Sequence, residues 1–241
     1  MKVKDLLVII PSYNEEMNII GVVNEVKNTL KEADILVVND CSTDNTLKLL
    51  EENRINHIST PFNLNYSGAI QTGFKYASEK GYKYVAQFDG DGQHVATELK
   101  KLYDYMLKEN VDICIGSRFI EKNGYKHPLF RRIGTNLLRI LIKITILQNI
   151  TDPTSGLQVL KRPVYTRYAG MSDYPEYPDA NLIIEMSLLG FKIKELPVIM
   201  KERVYGESMH SGAFEGLSYM VRMMYSIFVI IIKYKGKLWR R

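Results

Sequence analysis

Over roughly its first half the chain alternates short, unbroken apolar runs with longer segments whose apolar residues recur at helical spacing, and few architectures accept that pattern. Leu6 to Ile10 is a continuous apolar run closed by Pro11, as expected of a strand buried on both faces of a parallel sheet. Ile19, Ile20, Val22, Val23, Val26 and Leu30 then follow helical spacing, and Ile35 to Val38 reads as a second buried strand. Asp44 to Glu52 is predicted helical, His57 to Ser59 a short strand, Gly68 to Lys80 a helix, and Tyr84 to Phe88 and Val111 to Gly116 further strands. The alternation predicts a doubly wound, mainly parallel α/β sheet whose ligands gather at the carboxyl ends of the strands.

The second half changes character. Leu129 to Gln148 is apolar with Arg131, Arg132, Arg139 and Lys143 interspersed, which predicts an amphipathic helix with a basic face. A second such helix is predicted over Phe214 to Tyr234, followed by a basic tail containing Lys235, Lys237, Trp239, Arg240 and Arg241. Between them lie a polar loop at Thr151 to Gly156, a helix near Ala180 to Leu189 and an extended segment at Ile193 to Ile199. With 241 residues, 46% of them apolar, the chain can bury one full core. Basic residues set among apolar helix point to a membrane surface and away from nucleic acid, which would ask for exposed aromatic platforms. No window reaches the roughly 18 to 20 uninterrupted apolar residues of a spanning helix, the best being Met223 to Ile232, so a surface-lying chain is expected. Cys41 and Cys114 lack metal-site spacing and fit a reducing compartment, and no export leader is evident before Leu6.

The chemistry concentrates in Gln87-Phe88-Asp89-Gly90-Asp91-Gly92-Gln93-His94. An apolar strand delivers two carboxylates two residues apart into a loop loosened by Gly90 and Gly92, so that both can face one Mg²⁺ or Mn²⁺ ion bridging the phosphates of a nucleotide sugar. A solvated Asp-Gly turn is the bland alternative. Pro11-Ser12-Tyr13-Asn14-Glu15-Glu16 after the first strand and Asn39-Asp40-Cys41-Ser42-Thr43-Asp44 after the second favour the ligand site, with Tyr13 able to cover a base and Asp40 or Glu15 able to accept from base or ribose. Ser12, Ser42 and Thr43 are also credible helix caps. The histidines show no zinc pattern: His94, beside the acidic pair, can join the inner or outer shell of a bound metal or anchor the loop by a hydrogen bond, His210 can face a phosphate, and His57 and His127 are read as structural. Tyr174 to Asp179 reads as a loop over the site or a structural turn, with Asp179 and Glu185 as possible acceptor-side groups.

In order, Pro-Ser-Tyr-Asn-Glu, Asn-Asp-Cys-Ser-x-Asp and Asp-Gly-Asp-Gly-Gln-His resemble the large second family of glycosyltransferases. Ser117-Arg118-Phe119, Asp152-Pro153-Thr154-Ser155-Gly156 and Arg203-Val204-Tyr205-Gly206-Glu207-Ser208 resemble its polyprenyl- and dolichyl-phosphate sugar synthases. The resemblance implies a GT-A fold, with residues 1–210 as the catalytic domain and 211–241 as an amphipathic, membrane-associating helix and tail. It implies donor binding by Pro11, Tyr13, Glu15, Asp40, Gly68 and Asp89, and Mg²⁺ or Mn²⁺ held by Asp89, Asp91 and Gln93. Arg118, Asp152, Ser155, Arg203 and Ser208 fall on the acceptor or phosphate side, with Asp89, Asp91, Arg118 and Arg203 as catalytic residues. Asn39, Gln158 and Met209 stand where the family more often has Asp, Arg and Lys.

The expected activity is transfer from a UDP- or GDP-sugar to a polyprenyl phosphate at the cytoplasmic membrane face, with inversion. Such an acceptor is already anionic and asks for no general base. Transfer to the hydroxyl of a lipid-linked saccharide would need one, for which Asp152, Asp179 and Glu185 are candidates. A small integral membrane protein or a second copy of the chain is a possible partner. A non-catalytic nucleotide-binding module is the reading from another class, and it predicts no sugar release at all.

Overall fold

All seven residues of the first strand, β1 (Leu6–Ser12), are buried, which places it in the middle of the molecule. A computed structural model describes residues 4–121, 129–202 and 213–238. After β1 come α1 (Ile19–Thr29), β2 (Ala33–Asn39), α2 (Thr46–Glu52), β3 (His57–Ser59), α3 (Asn65–Lys80), β4 (Tyr84–Gln87), α4 (Ala96–Glu109) and β5 (Ile113–Ser117). The second half adds α5 (Leu129–Ile146), β6 (Gln158–Lys161), α6 (Arg162–Ala169), α7 (Ala180–Leu188), β7 (Ile193–Pro197) and α8 (Ala213–Leu238).

The strands form one seven-stranded sheet in the order β3-β2-β1-β4-β6-β5-β7. Pairing is parallel except at β6, which runs antiparallel to both β4 and β5. The predicted mainly parallel sheet is therefore present, while the antiparallel β6 and the helices α4 and α6 are additions to the elements foreseen. Alternate β1 residues feed opposite layers: Leu6, Val8 and Ile10 pack with Val22, Val23 and Val26 of α1 and Leu99 of α4. Leu7 and Ile9 pack on the other side with Ile70 and Phe74 of α3 and with residues of α5, α6, α7 and α8. Period-2 side chains that are apolar on both faces require helices on both faces, and these supply them.

The chain passes from β1 outward to β2 and β3, then returns to place β4 on the other flank of β1. That reversal opens a crevice at the carboxyl ends of β1 and β4, where an open α/β sheet receives ligands. Helix α8 departs from expectation. Its segment Gly216–Tyr234, 19 residues of mean hydropathy 1.4, is long and apolar enough by length and composition to cross a membrane. Arg222 and Lys233 keep it short of an uninterrupted apolar run, as expected, but a spanning window tolerates such isolated charges. One face of α8 nonetheless packs against the domain, with Met223, Ile227 and Ile230 in the same core as Ile9 and Phe74.

Candidate active site

Three loops meet at the crevice, and their sequence explains how they hold together. Beyond β1, Asn14 takes the left-handed backbone region at φ 56°. Its amide donates to Ser42 Oγ at 3.0 Å, and its side-chain oxygen accepts from the Thr43 amide at 2.8 Å. The Glu15 amide donates to Thr46 Oγ1, and Glu16 Oε2 accepts from the Asn45 amide. Ser42 and Thr43 thus fasten the β1 and β2 loops to each other, and α2 carries no side-chain cap; the capping expected of them is not what their hydroxyls do. Ser12 does not cap α1 either, its Oγ being buried without a hydrogen-bond partner among the described residues.

The expected donor residues fall on this rim. Pro11 is buried at the end of β1, where pairing with β4 has already stopped at Ile9, so its missing N–H breaks no ladder bond on that side. Tyr13, just past β1, is 47% exposed. Glu15 Oε2 accepts from Asn18 Nδ2 at 2.7 Å. Asp40 is only 3% exposed, and its Oδ1 accepts from Thr60 Oγ1 at 2.9 Å and from the Leu64 amide at 2.8 Å. It ties the β2 end to the chain entering α3. Asn39 bonds Ser59 Oγ and the Ser42 amide, an internal role that an amide fills without a carboxylate's charge. Gly68 lies in the first turn of α3, where a Cβ would meet Leu64 Cβ at 2.5 Å, so its small size serves the fit against Leu64.

Asp89 and Asp91 leave the end of β4 into the same crevice. A Cβ on Gly90 would stand 2.9 Å from the Pro11 carbonyl oxygen, so the acidic loop passes β1 at a distance only glycine allows. Gly92 takes φ 77° and turns the loop. Asp91 Oδ1 then accepts from the Gln93 amide at 3.0 Å. His94 is 1% exposed and edge-on to Phe88 at 5.3 Å. Its Nδ1 accepts from the Asp89 amide at 2.9 Å, which leaves Nε2 facing Asp89 Oδ2 at 3.4 Å. His94 therefore supports the loop from behind.

Tyr66 of α3 was not foreseen. Its hydroxyl donates to Asp89 Oδ1 at 3.2 Å, and Gly156 packs so closely that a Cβ there would lie 3.1 Å from both Asp89 Oδ2 and the Tyr66 hydroxyl. Burial raises the Asp89 carboxyl above its ordinary pKa and the Asp91 charge adds to this, while His94, Tyr66 and Arg118 oppose it. Burial and then Asp89 hold the Tyr66 phenol well above its ordinary value, so it stays a donor at neutral pH. A buried carboxylate whose ionisation a neighbouring carboxylate opposes suits a bound cation. Among the described residues no three His, Cys, Asp or Glu side chains form a metal cage by themselves. Magnesium-type sites commonly use one or two carboxylates and complete the shell with substrate phosphates and water, and Asp89 and Asp91 fit that description.

The opposite wall is a buried ion pair. Arg118 donates from Nε to Asp152 Oδ2 at 2.6 Å and from Nη2 to Asp152 Oδ1 at 2.7 Å. Asp152 is fully buried. Glu195 of β7 accepts from the Thr151 and Asp152 amides at 2.7 and 2.8 Å and so fixes the loop that presents the pair. Arg118 thus bears on the site through Asp152 and its field on Asp89. Ser155 is 3% exposed, and its hydroxyl donates to the Gly116 carbonyl at 2.5 Å, which turns it away from the crevice. Gln158 reaches the Ser155 carbonyl with Nε2 at 2.8 Å.

Arg203, Ser208 and His210 lie outside the described residues, as do His127 and Trp239. The chain reaches that segment beside the acidic loop, the Lys201 amide donating to the Gln93 carbonyl at 2.8 Å. Asp179 joins the site from the start of α7. Burial raises its carboxyl to about 6, with Tyr219 and Arg118 pulling it down and Asp152 pushing it up. Glu185 points elsewhere, accepting from Tyr234 at 2.8 Å and facing Arg167 at 3.5 Å beneath α8. Arg139, expected on a basic outer face, instead donates to the Thr151 carbonyl at 2.6 Å and lies over the Phe119 ring.

The sequence pattern of Glycosyl transferase family 2 matches residues 7–168. The chain belongs to that family. The polyprenol monophosphomannose synthase of Mycolicibacterium smegmatis is 28% identical to this glycosyltransferase over 224 residues, covering 86% of this chain and 81% of the relative. The undecaprenyl-phosphate mannosyltransferase of Micrococcus luteus is 28% identical over 221 residues, covering 88% and 89%. Among solved structures, glucosyl-3-phosphoglycerate synthase from Mycobacterium tuberculosis, crystallised with Mn²⁺, UDP and glucosyl-3-phosphoglycerate, superposes with a TM-score of 0.67. It is 17% identical and covers 97% of this chain and 80% of its own. The fold of the glycosyltransferase is GT-A.

Proposed function

We propose that this glycosyltransferase moves a sugar from a UDP- or GDP-sugar to a polyprenyl phosphate at the cytoplasmic face of a membrane, with a divalent cation and with inversion. The observation that carries the reading is the pair Asp89 and Asp91, presented at the β1–β4 switch point and braced by Tyr66, Gly156 and His94. Relatives named for polyprenol and undecaprenyl phosphate support the acceptor class. The exposed Ile133, Ile140 and Ile144 of α5 and Leu217, Val221 and Phe228 of α8 support a lipid surface nearby, and the free thiols Cys41 and Cys114 suit a reducing compartment.

In this mechanism the nucleoside lies along the β1 and β2 loops against Tyr13, Glu15 and Asp40. Asp89, Asp91 and Gln93 would hold Mg²⁺ or Mn²⁺, which when bound supplies positive charge against the diphosphate. Tyr66 keeps a proton and orients Asp89. Arg203 and Ser208 are assigned to the phosphate side. The acceptor phosphate oxygen attacks the anomeric carbon as the bond to the diphosphate breaks on the opposite face, so one displacement inverts the centre. A phosphate nucleophile needs positioning more than deprotonation.

Asp179 favours a second reading, transfer to the hydroxyl of a lipid-linked saccharide. Asp152 has both oxygens on Arg118, and Glu185 lies under α8, so Asp179 alone of the three acceptor-side carboxylates stays available to take a proton. Its raised pKa of about 6 suits a general base. The deciding assay offers UDP- and GDP-sugars with Mg²⁺ or Mn²⁺ to undecaprenyl phosphate in detergent and reads products by mass spectrometry, with Asp91→Ala alongside. A sugar-phospholipid that vanishes in the variant is expected. Donor turnover without that product would favour the saccharide acceptor, and no donor binding or turnover at all would overturn the enzymatic reading.

A further inference from the structure

Helix α8 carries a polar stripe on the side that faces the protein. Tyr219, Arg222 and Ser226 follow one another at helical spacing; the first two meet the segment that leads into α7, and Ser226 meets the first turn of α7. The Tyr219 hydroxyl donates to Asp179 Oδ2 at 2.8 Å, Arg222 pairs with Glu176, and Asn181 Nδ2 donates to Ser226 Oγ at 2.9 Å. The Tyr219 ring stands edge-on to Tyr177, with centroids 4.9 Å apart at 82°. Asn181 Oδ1 accepts from the Asp179 amide at 2.9 Å, so backbone and side chain of Asp179 are both referred to α8. The other side of the helix is apolar and open, with Leu217 63%, Val221 61% and Phe228 59% exposed. One helix thus joins an apolar outer surface to a carboxylate in the crevice.

We propose that Tyr219 is a positioning residue for the reaction, holding the Asp179 carboxylate toward the acceptor so that the seating of α8 sets the acceptor side of the site. The inference rests on the second reading above, in which Asp179 takes the proton of an acceptor hydroxyl, and adds to it a named link between the outer helix and the chemistry. The donor side is held by other elements: Asp89, Asp91, Tyr13 and Asp40 hang from β1, β2 and β4, and Asp40 and Asp89 are bonded by Thr60, Leu64, Tyr66 and His94. Tyr219→Phe should therefore separate the two halves of the reaction, leaving nucleotide affinity intact and altering transfer.

Among the described residues the groups facing Asp179 are Tyr219 from α8, Tyr66 from α3, Tyr174 from its own loop, Arg118 after β5 and Asp152 before β6. Of these, Tyr219 is the hydrogen-bond donor that favours the ionised form, so its loss raises the pH at which Asp179 ionises. The experiment measures transfer against pH for the full-length wild type, Tyr219→Phe and Asp179→Asn, with UDP and GDP affinity in parallel. The acid limb of Tyr219→Phe is expected to move up by roughly one pH unit, giving a several-fold loss at pH 6 that recovers by pH 8, with nucleotide affinity unchanged. A limb that coincides with wild type, or a loss equal at every pH, overturns the proposal. Infrared difference titration of the carboxylate band absent in Asp179→Asn reads the same shift without substrate. A shifted band in a protein that transfers nothing upholds the Tyr219–Asp179 link while refuting the functional reading; an unshifted band refutes the link.

Discussion

Asp179 shows at the scale of one residue how function and stability pull apart. Its carboxyl is raised from the ordinary 3.8 to about 6, with burial as the largest cause. A carboxyl raised in the folded state contributes stability fully below its unfolded pKa and loses that contribution as pH rises through the folded one. Above pH 6 the ionised Asp179 is therefore a burden on the fold, of up to roughly 3 kcal/mol. Asp179→Asn keeps an acceptor for Tyr219 and removes the charge. It is expected to melt several degrees higher than wild type at pH 8 and close to wild type at pH 4. Equal melting temperatures at pH 8 would show that the buried charge is relieved by other groups. The acidic pair Asp89 and Asp91 was legible in the sequence because its geometry is local, two carboxylates and two glycines on one loop. Tyr66 and Tyr219 were not, because each finds its carboxylate 23 or 40 residues away along the chain.

At the scale of elements, α5 and α8 were legible from amphipathic spacing, but the direction of their basic side chains was not. Arg132 and Lys143 are exposed as expected, whereas Arg139 turns inward to Thr151 and Phe119. Helix α4 has an apolar stripe at Leu99, Leu102, Tyr103 and Met106 whose spacing is helical. Strand β6 has only four residues, too few for a period to declare itself, and its antiparallel course depends on partners elsewhere in the chain. The outward face of α8 carries a direct prediction. Phe228, 59% exposed, would contribute about 1.5–3 kcal/mol on entering lipid, so Phe228→Asp should weaken sedimentation with anionic-lipid vesicles by about tenfold or more. Donor turnover in detergent should be unchanged. Undiminished vesicle binding would place the membrane contact on another surface.

At the scale of the whole molecule, α8 belongs to the domain it borders. Met223, Ile227 and Ile230 share a core with Ile9, Phe74 and Ile184, so the helix is built into the fold of the catalytic unit. Each such side chain contributes about 1.5–3 kcal/mol, and three together match much of the roughly 5–15 kcal/mol that holds a typical domain folded. A chain ending before Ala213 is expected to lose its cooperative thermal transition or to aggregate; a melting curve like that of the full chain would refute this packing. The sequence by itself determined the sheet-and-helix alternation, the crevice at the strand ends and the acidic loop, because these follow from periodicity and from residues adjacent in the chain. Only the tertiary structure decided that Asp152 is neutralised by Arg118, that Ser155 faces inward and that Asp179 is joined to α8. Those outcomes turn on which distant side chain reaches a polar atom once water is excluded, and no local pattern carries that information.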